Sequence, residues 1–343
     1  MVESETPLAR GSLRVSPELP EMRQDQVEGR WVLISPGRAS RPMPHESSFL
    51  ADEGTCPFCQ GNESLTPPEV MAVRPAGAPA NGPDWTVRIV PNRYPAVMPG
   101  QPVLISPGQV GAVGVHEVVV ECPGHVPTAT SLGPTHLESV LGLARDRVAT
   151  LSSDPSHAWV QLFKNAGAAA GASLFHAHMQ ILTVPEVPHR IEAMLQRVES
   201  MGHCPVCEQI RWELEKKIRI VGEREGLIAF CPFASGFPHE VWICPTAHQP
   251  HWEGMPSKLL DGLSRLLWEV LYSLEKRLGL FPHNLVMQGS PRFHPLANHG
   301  HWMLRILPRL NGIAGFEWGT GMLINTVAPE AAAEGIRTLL GNS

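Results

Sequence analysis

Apolar positions recur along this chain with two different periods. HEVVVE (116 to 121), HAWVQLF (157 to 163) and HMQILTV (178 to 184) are short, rich in β-branched residues and partly alternating, the pattern of strands with a buried face. Between the first two, Leu137, Val140, Leu141 and Val148 fall at helical spacing, and Thr135 followed by Glu138 reads as a capping box opening that helix. The same succession returns later. HEVWIC is followed by a helix over about 257 to 278, with Leu259, Leu260, Leu263, Leu266, Leu267, Val270, Leu271 and Leu274 on one face. Gly279 closes that helix as its C-cap, and NLVMQ and HWMLRIL follow as strands. A last helix begins near Pro329, a residue suited to a first helical turn, and the charged stretch 186 to 203 reads as helical. The repetition predicts an α+β fold in two similar halves.

Length agrees with two units, since 343 residues exceed what one growing core usually holds. The boundaries read as a loose tail over 1–20, an N-terminal catalytic domain over 21–187 and a C-terminal domain over 188–343. Hydrophobic residues at 43% and charged residues at 17% fit a soluble globular protein, and no apolar run is long enough to cross a bilayer. The first twenty residues contain acidic positions and prolines but no apolar core of a signal peptide, so a cytoplasmic protein is expected. A net charge of -6 argues against an extended nucleic-acid surface, and any phosphate recognition must be local.

Cysteine and histidine carry the strongest signal. Seven cysteines, two pairs of them spaced C-x-x-C, favour metal or redox chemistry over a disulfide framework in such a chain. Cys56 and Cys59 precede His125 and His176; Cys204 and Cys207 precede His248 and His299. His125 to His176 and His248 to His299 are both 51 residues (176 − 125 and 299 − 248). Two thiolates and two imidazoles make the closed tetrahedral set that zinc prefers in structural sites. Two zinc ions per chain are therefore expected, one on Cys56, Cys59, His125 and His176, the other on Cys204, Cys207, His248 and His299. Cys122 and Cys244, each followed by proline, read as core thiols.

One segment has no counterpart in the other half. FKNAGAAAGASLFHAHMQ (163 to 180) is a small-residue loop in which Gly167 and Gly171 let backbone N–H groups approach an anion, leading into His176, His178 and Gln180 on alternate positions of a strand. A neutral imidazole attacks phosphorus well and leaves the resulting phosphoramidate readily, which makes His178 the candidate nucleophile. Aligned on the 51-residue spacing, His301 falls opposite His178 and Met303 opposite Gln180, so the second half reads as catalytically silent and His301 as a structural relic.

With GRWVLISPGRASRP (29 to 42), CPFCQGNE, VRIVPNRYPAV, HEVVVECPGH and GFEWGTGMLINTVAPEAAAEGIR added to these motifs, the chain resembles the galactose-1-phosphate uridylyltransferase family of the histidine-triad superfamily, including its ADP-glucose phosphorylase branch. The resemblance implies two tandem histidine-triad-like halves, each an antiparallel sheet with packed helices. It implies a ping-pong transfer of a nucleoside monophosphate through a covalent His178 intermediate, first of all between UDP-glucose and a hexose 1-phosphate such as galactose 1-phosphate, with ADP-glucose and phosphate as the alternative pair. Gln180, Ser173 and Asn165 would face phosphoryl oxygens, Arg38, Arg41 and Asn92 would hold the nucleotide, and a homodimer is an open expectation. Glutamine at 180, where hydrolases of the superfamily carry histidine, points to transfer. Ala177, Lys164 and Met179 depart from the usual pattern and leave the nucleotide open. A nucleotide hydrolase and a non-catalytic zinc-stabilised binding protein are the rival readings.

Overall fold

A computed structural model describes residues 20–40, 56–100, 104–106, 109–126 and 128–340. Its centre is one ten-stranded sheet in which every pairing is antiparallel. Outside it lie β1 (Glu21–Gln24) and β2 (Trp31–Ile34). Five strands of the large sheet come from the first part of the chain: β3 (Met71–Val73), β4 (Val87–Pro91), β7 (His116–Val120), β8 (Trp159–Ala166) and β9 (His178–Val184), with a small ribbon of β5 (Leu104–Ser106) and β6 (Gln109–Val110) between them. The other five are β10 (Ile220–Arg224), β11 (Leu227–Phe230), β12 (Val241–Pro245), β13 (His283–Gln288) and β14 (Met303–Pro308). The spatial order is β10-β11-β12-β14-β13-β8-β9-β7-β4-β3. The two sets meet at β8 and β13, where His283 pairs with Ala166 and Asn284 with Asn165.

Strand alternation divides the side chains between two faces. Val119, Leu162, Met179, Ile181, Leu285 and Ile306 join one core with α1 (Pro134–Ser152), α4 (Ser257–Leu278) and α6 (Pro329–Leu340). Leu263, Leu267, Val270 and Leu274 of α4 are completely buried there, so truncating any of the three leucines to alanine costs about 2–5 kcal/mol. The helix spans the predicted range and ends at Gly279, whose φ of 73° suits the residue that stops it. The start of α1 differs from the expectation. Pro134 occupies the first turn and Gly133 the cap position with no side-chain capping bond, so proline, not a Thr135–Glu138 box, opens the helix.

The opposite face carries α2 (His189–Met201), α3 (Pro205–Lys216) and the cysteine-bearing loops. The predicted boundary near residue 187 falls in the link from β9 to α2. Residues 21–34, assigned from the sequence to the first half, pack elsewhere: β2 pairs in parallel with β15 (Leu323–Asn325), Val32 and Ile34 bury against Ala234, and Val27 joins the core of α3. A short α5 (Gly315–Thr320) precedes β15. No helix among the described residues is long and apolar enough to cross a membrane.

Candidate active site and metal centres

The loop leaving β8 turns through Gly167 (φ 81°) and Gly171 (φ 87°), a left-handed backbone that side-chain-bearing residues adopt only under strain. Within it the N–H groups of Ala170 and Ala172 donate to the carbonyl of Gly167, and that of Gly171 to Ala168. Those three donors are consumed by the turn itself.

His178 opens β9. Its Nδ1 lies 2.7 Å from the carbonyl oxygen of His176, an atom that can only accept, so Nδ1 carries the proton and Nε2 keeps its lone pair. The ring is buried, with 7% of its residue surface exposed. Burial lowers its pKa to about 4; the bond to His176 opposes that and the Lys164 cation adds to it. The imidazole is neutral at physiological pH, and Phe58 lies against it with ring centroids 5.4 Å apart. Behind the strand, Lys164 forms a buried ion pair with Glu121, and its Nζ lies 3.4 Å from the carbonyl oxygen of His178.

A similar deduction fixes Gln180. The Ala96 N–H donates to His116 Nδ1 at 3.0 Å, so His116 is protonated on Nε2 and donates to Gln180 Oε1 at 2.9 Å. With its oxygen tied to His116, Gln180 turns its NH₂ away as a donor. Asn92 Nδ2 lies 3.2 Å from the same His116 nitrogen. His178 and Gln180 line a cleft of 430 Å³ together with Phe58, Thr66, Asn92, Arg93, Tyr94, Val118 and Ser173. Asn165 and Gly167 border a smaller void beside His178. The structure thus brings His178, Gln180, Ser173, Asn92, Asn165 and Gly167 together, with Gly171 beside Asn165. Arg38 sits exposed on a 3₁₀ turn and does not line the cleft, and Arg41 lies outside the described residues. The sequence reading attaches no chemistry to His116, Phe58, Arg93 or Tyr94. The alternation of HEVVVE placed His116 on the face of Val118, which was a usable signal.

Two clusters could hold a metal ion. In the first, His176 Nδ1 is 3.6 Å from the sulfurs of both Cys56 and Cys59, and His125 Nδ1 is 3.5 Å from Cys59. His176 Nε2 donates to the Cys122 carbonyl at 2.8 Å, which leaves Nδ1 free to ligate. Burial and the neighbouring Cys56 push the Cys59 thiol up to about 11, so a thiolate pair here requires a nearby cation. The second cluster is Cys204, Cys207, His248 and His301. His301 Nδ1 lies 3.3 Å from Cys207 and 3.8 Å from Cys204, while its Nε2 donates to the Pro245 carbonyl at 3.0 Å.

His301, not His299, therefore faces the second cysteine pair. His299 ends an exposed 3₁₀ turn two residues earlier. The equal 51-residue spacings misled because strand register, not chain count, decides which imidazole reaches the cysteines. His301 stands two residues before β14 as His176 stands two before β9, and the N–H of Trp302 bonds to the Gln249 carbonyl as that of Ala177 bonds to Val126. In that register Met303 matches His178 and Arg305 matches Gln180, so Met303 is not opposite Gln180 and His301 is not a relic of His178. Arg305 pairs across the sheet with Trp242 as Gln180 pairs with Val118. Its guanidinium donates to Glu28 at 2.6 Å and to Glu240 at 3.0 Å, so a charged side chain held by two carboxylates stands where the first site has the Gln180 amide.

Comparison with known proteins agrees with this architecture. A family described as a domain of unknown function, DUF4921, matches residues 125–342, and the chain belongs to that galactose-1-phosphate uridylyltransferase-like family, whose characterised relatives are nucleotidyltransferases and phosphorylases of nucleotide sugars. Among the relatives, ADP-glucose phosphorylase of Arabidopsis thaliana is 32% identical over 94% of both chains. Galactose-1-phosphate uridylyltransferase of Thermotoga maritima is 28% identical over 92% of this chain and 98% of its own. The crystal structure of an Arabidopsis thaliana ADP-glucose phosphorylase with bound ADP-glucose superimposes with a TM-score of 0.80, covering 93% of this chain and 98% of that one.

Proposed function

We propose that this enzyme transfers a nucleoside monophosphate from a nucleotide sugar by way of His178. Nε2 of the neutral ring attacks the α-phosphorus; the bond to the sugar 1-phosphate oxygen breaks, and that product leaves with the electron pair. An acceptor oxygen then attacks the same phosphorus and His178 departs as imidazole. The observation that carries this reading is the Nδ1 bond to the His176 carbonyl, which leaves the lone pair on Nε2 in a buried, uncharged ring beside the cleft. Gln180 (its NH₂ turned away from His116), Asn165 and Ser173 donate to phosphoryl oxygens, and Asn92 helps to hold the nucleotide. Gln180 cannot serve as an acid or base toward water, which favours transfer over hydrolysis.

The Arabidopsis relative supports ADP-glucose as donor and phosphate as acceptor, giving ADP and glucose 1-phosphate. The uridylyl reaction with a hexose 1-phosphate is the second reading, supported by the Thermotoga relative. Each cysteine cluster holds one zinc ion. With bonds near 2.3 Å to sulfur and 2.0–2.1 Å to nitrogen, a tetrahedral site has S···N edges of roughly 3.6 Å; six of the eight S···N edges run from 3.3 to 3.8 Å, and all ligand atoms lie within 4.8 Å of one another. When bound, zinc supplies a tetrahedral cross-link and no bond-making step, and each half of the repeat carries one.

Intact-mass measurement after incubation with ADP-glucose or UDP-glucose, without acceptor, tests the proposal. An AMP or UMP adduct mapping to His178 is expected, discharged by phosphate or by hexose 1-phosphate respectively. His178→Ala should take no label and lose about 10⁴-fold or more in turnover. Turnover at normal rate by that variant would overturn the mechanism.

A further inference from the structure

Asn165 of β8 borders the small void beside His178, but a carboxamide has two ends and only the NH₂ end helps hold a phosphoryl group. What selects that end lies in the other set of strands. Asn284 of β13 stands directly opposite Asn165 in the β8–β13 pairing. Its Nδ2 is 2.9 Å from the Ala170 carbonyl oxygen and 2.9 Å from Asn165 Oδ1. The Ala170 carbonyl can only accept, so the Asn284 atom beside it is the amide nitrogen and not the oxygen. That nitrogen spends one hydrogen on Ala170 and the other on Asn165, which must meet it with its oxygen. The Asn165 NH₂ is thereby turned away from Asn284 toward Gly171, its Nδ2 3.7 Å from where a Cβ on Gly171 would stand. The same two bonds tie strand and loop together at the turn closed by Gly167 and Gly171.

We infer that Asn284 is a positioning residue for the transfer reaction: by donating to both Ala170 and Asn165 it fixes the loop and presents the Asn165 amide as a donor to the reacting phosphoryl group. The inference rests on the reading of His178 as nucleophile. It gives the second set of strands a part in catalysis although that set carries no nucleophile of its own. Asn284→Asp keeps the shape of the side chain but replaces the donor by an acceptor. The carboxylate so introduced repels the Ala170 carbonyl and draws the Asn165 NH₂ inward, so that Asn165 Oδ1 faces the phosphoryl oxygens. Asn284→Ala removes the instruction without reversing it, and Asn284→Ser offers one shorter donor.

The test compares these three variants, each first shown to be folded and to retain its metal content. Turnover of ADP-glucose with phosphate, or of UDP-glucose with hexose 1-phosphate, is expected to fall about 10²-fold or more for Asn284→Asp, less for Asn284→Ala and least for Asn284→Ser, with kcat changing more than KM. Calorimetric binding of AMP and UMP, which needs no turnover, should weaken in the same order. A purely structural role predicts the reverse for the isosteric change, with Asn284→Asp close to wild type and Asn284→Ala worst; that ranking would overturn the inference. Should Asn284→Asp not fold, serine against alanine decides, and equal values for the two would overturn it. If the wild-type protein turned over no nucleotide sugar, the His178 reading would fall, whereas the ranking of nucleotide affinities would still report on Asn284 by itself.

Discussion

The β9 and β14 regions of the large sheet begin alike and end differently. Each strand is preceded at two residues by an imidazole whose Nδ1 faces a C-P-x-C pair and whose Nε2 donates to a backbone carbonyl. Beyond that point β9 offers a neutral histidine and a polarised amide to a cleft, while β14 offers Met303 and an arginine locked between two buried carboxylates. The contrast separates two demands on one scaffold. The positions that face the cysteine pairs carry the same residue type in both regions, whereas those two and four residues further on differ, facing a cleft in one and forming a buried ion pair in the other.

The largest expected effect tests the shared part of that contrast. His301→Ala should remove one of two zinc equivalents, measured by elemental analysis, and destabilise the protein severely, since a structural zinc site contributes on the order of 10 kcal/mol. His299→Ala should leave both equivalents in place. The opposite pattern would restore the reading by chain spacing and undo the match of Met303 with His178.

A smaller effect tests the filling. Burial alone would raise the Glu28 carboxyl, but Arg305, Arg30 and Arg190 outweigh it and hold the pKa at about 2, below the ordinary 4.5. Its folded value is depressed, so its stabilisation is complete above the unfolded pKa and is lost as pH falls from about 4.5 toward 2. Glu28→Gln, which leaves Arg305 partly unpaired, should cost about 3 kcal/mol in denaturant melts at pH 7 and progressively less in acid. A cost that did not shrink toward pH 2 would mean the ion pair is not its source.

The smallest effect concerns the polarised amide. Gln180→Ala should slow turnover roughly 10²-fold with the fold intact by thermal melt, and His116→Ala should reproduce part of that loss by releasing the Gln180 oxygen. Full activity in His116→Ala would show that Gln180 needs no such partner.

How far these features were legible follows from their range along the chain. The helix over 257 to 278, the strand opening at His178 and the first cysteine–histidine set are local or strongly patterned, and residue types alone disclose them. The second set went astray at one ligand because HGH offers two histidines and only the register of β14 chooses between them. The Asn165–Asn284 and His116–Gln180 contacts join residues 119 and 64 positions apart, and no periodicity marks such pairs. Residues 21–34 escaped for a related reason: nothing in EMRQ or WVLI says that their partner β15 lies near the other terminus.

The β8–β13 pairing also bears on how this protein can be cut. β8 is eight residues long, with Trp159, Leu162, Lys164 and Ala166 buried, and β13 covers the flank opposite β9. A fragment ending near residue 187 would keep His178 and the first cysteine pair yet expose that flank as a bare strand edge, a template for pairing with other chains. Such a fragment should aggregate rather than work as a miniature enzyme, and proteolysis between β9 and α2 should inactivate the protein without releasing a soluble catalytic piece.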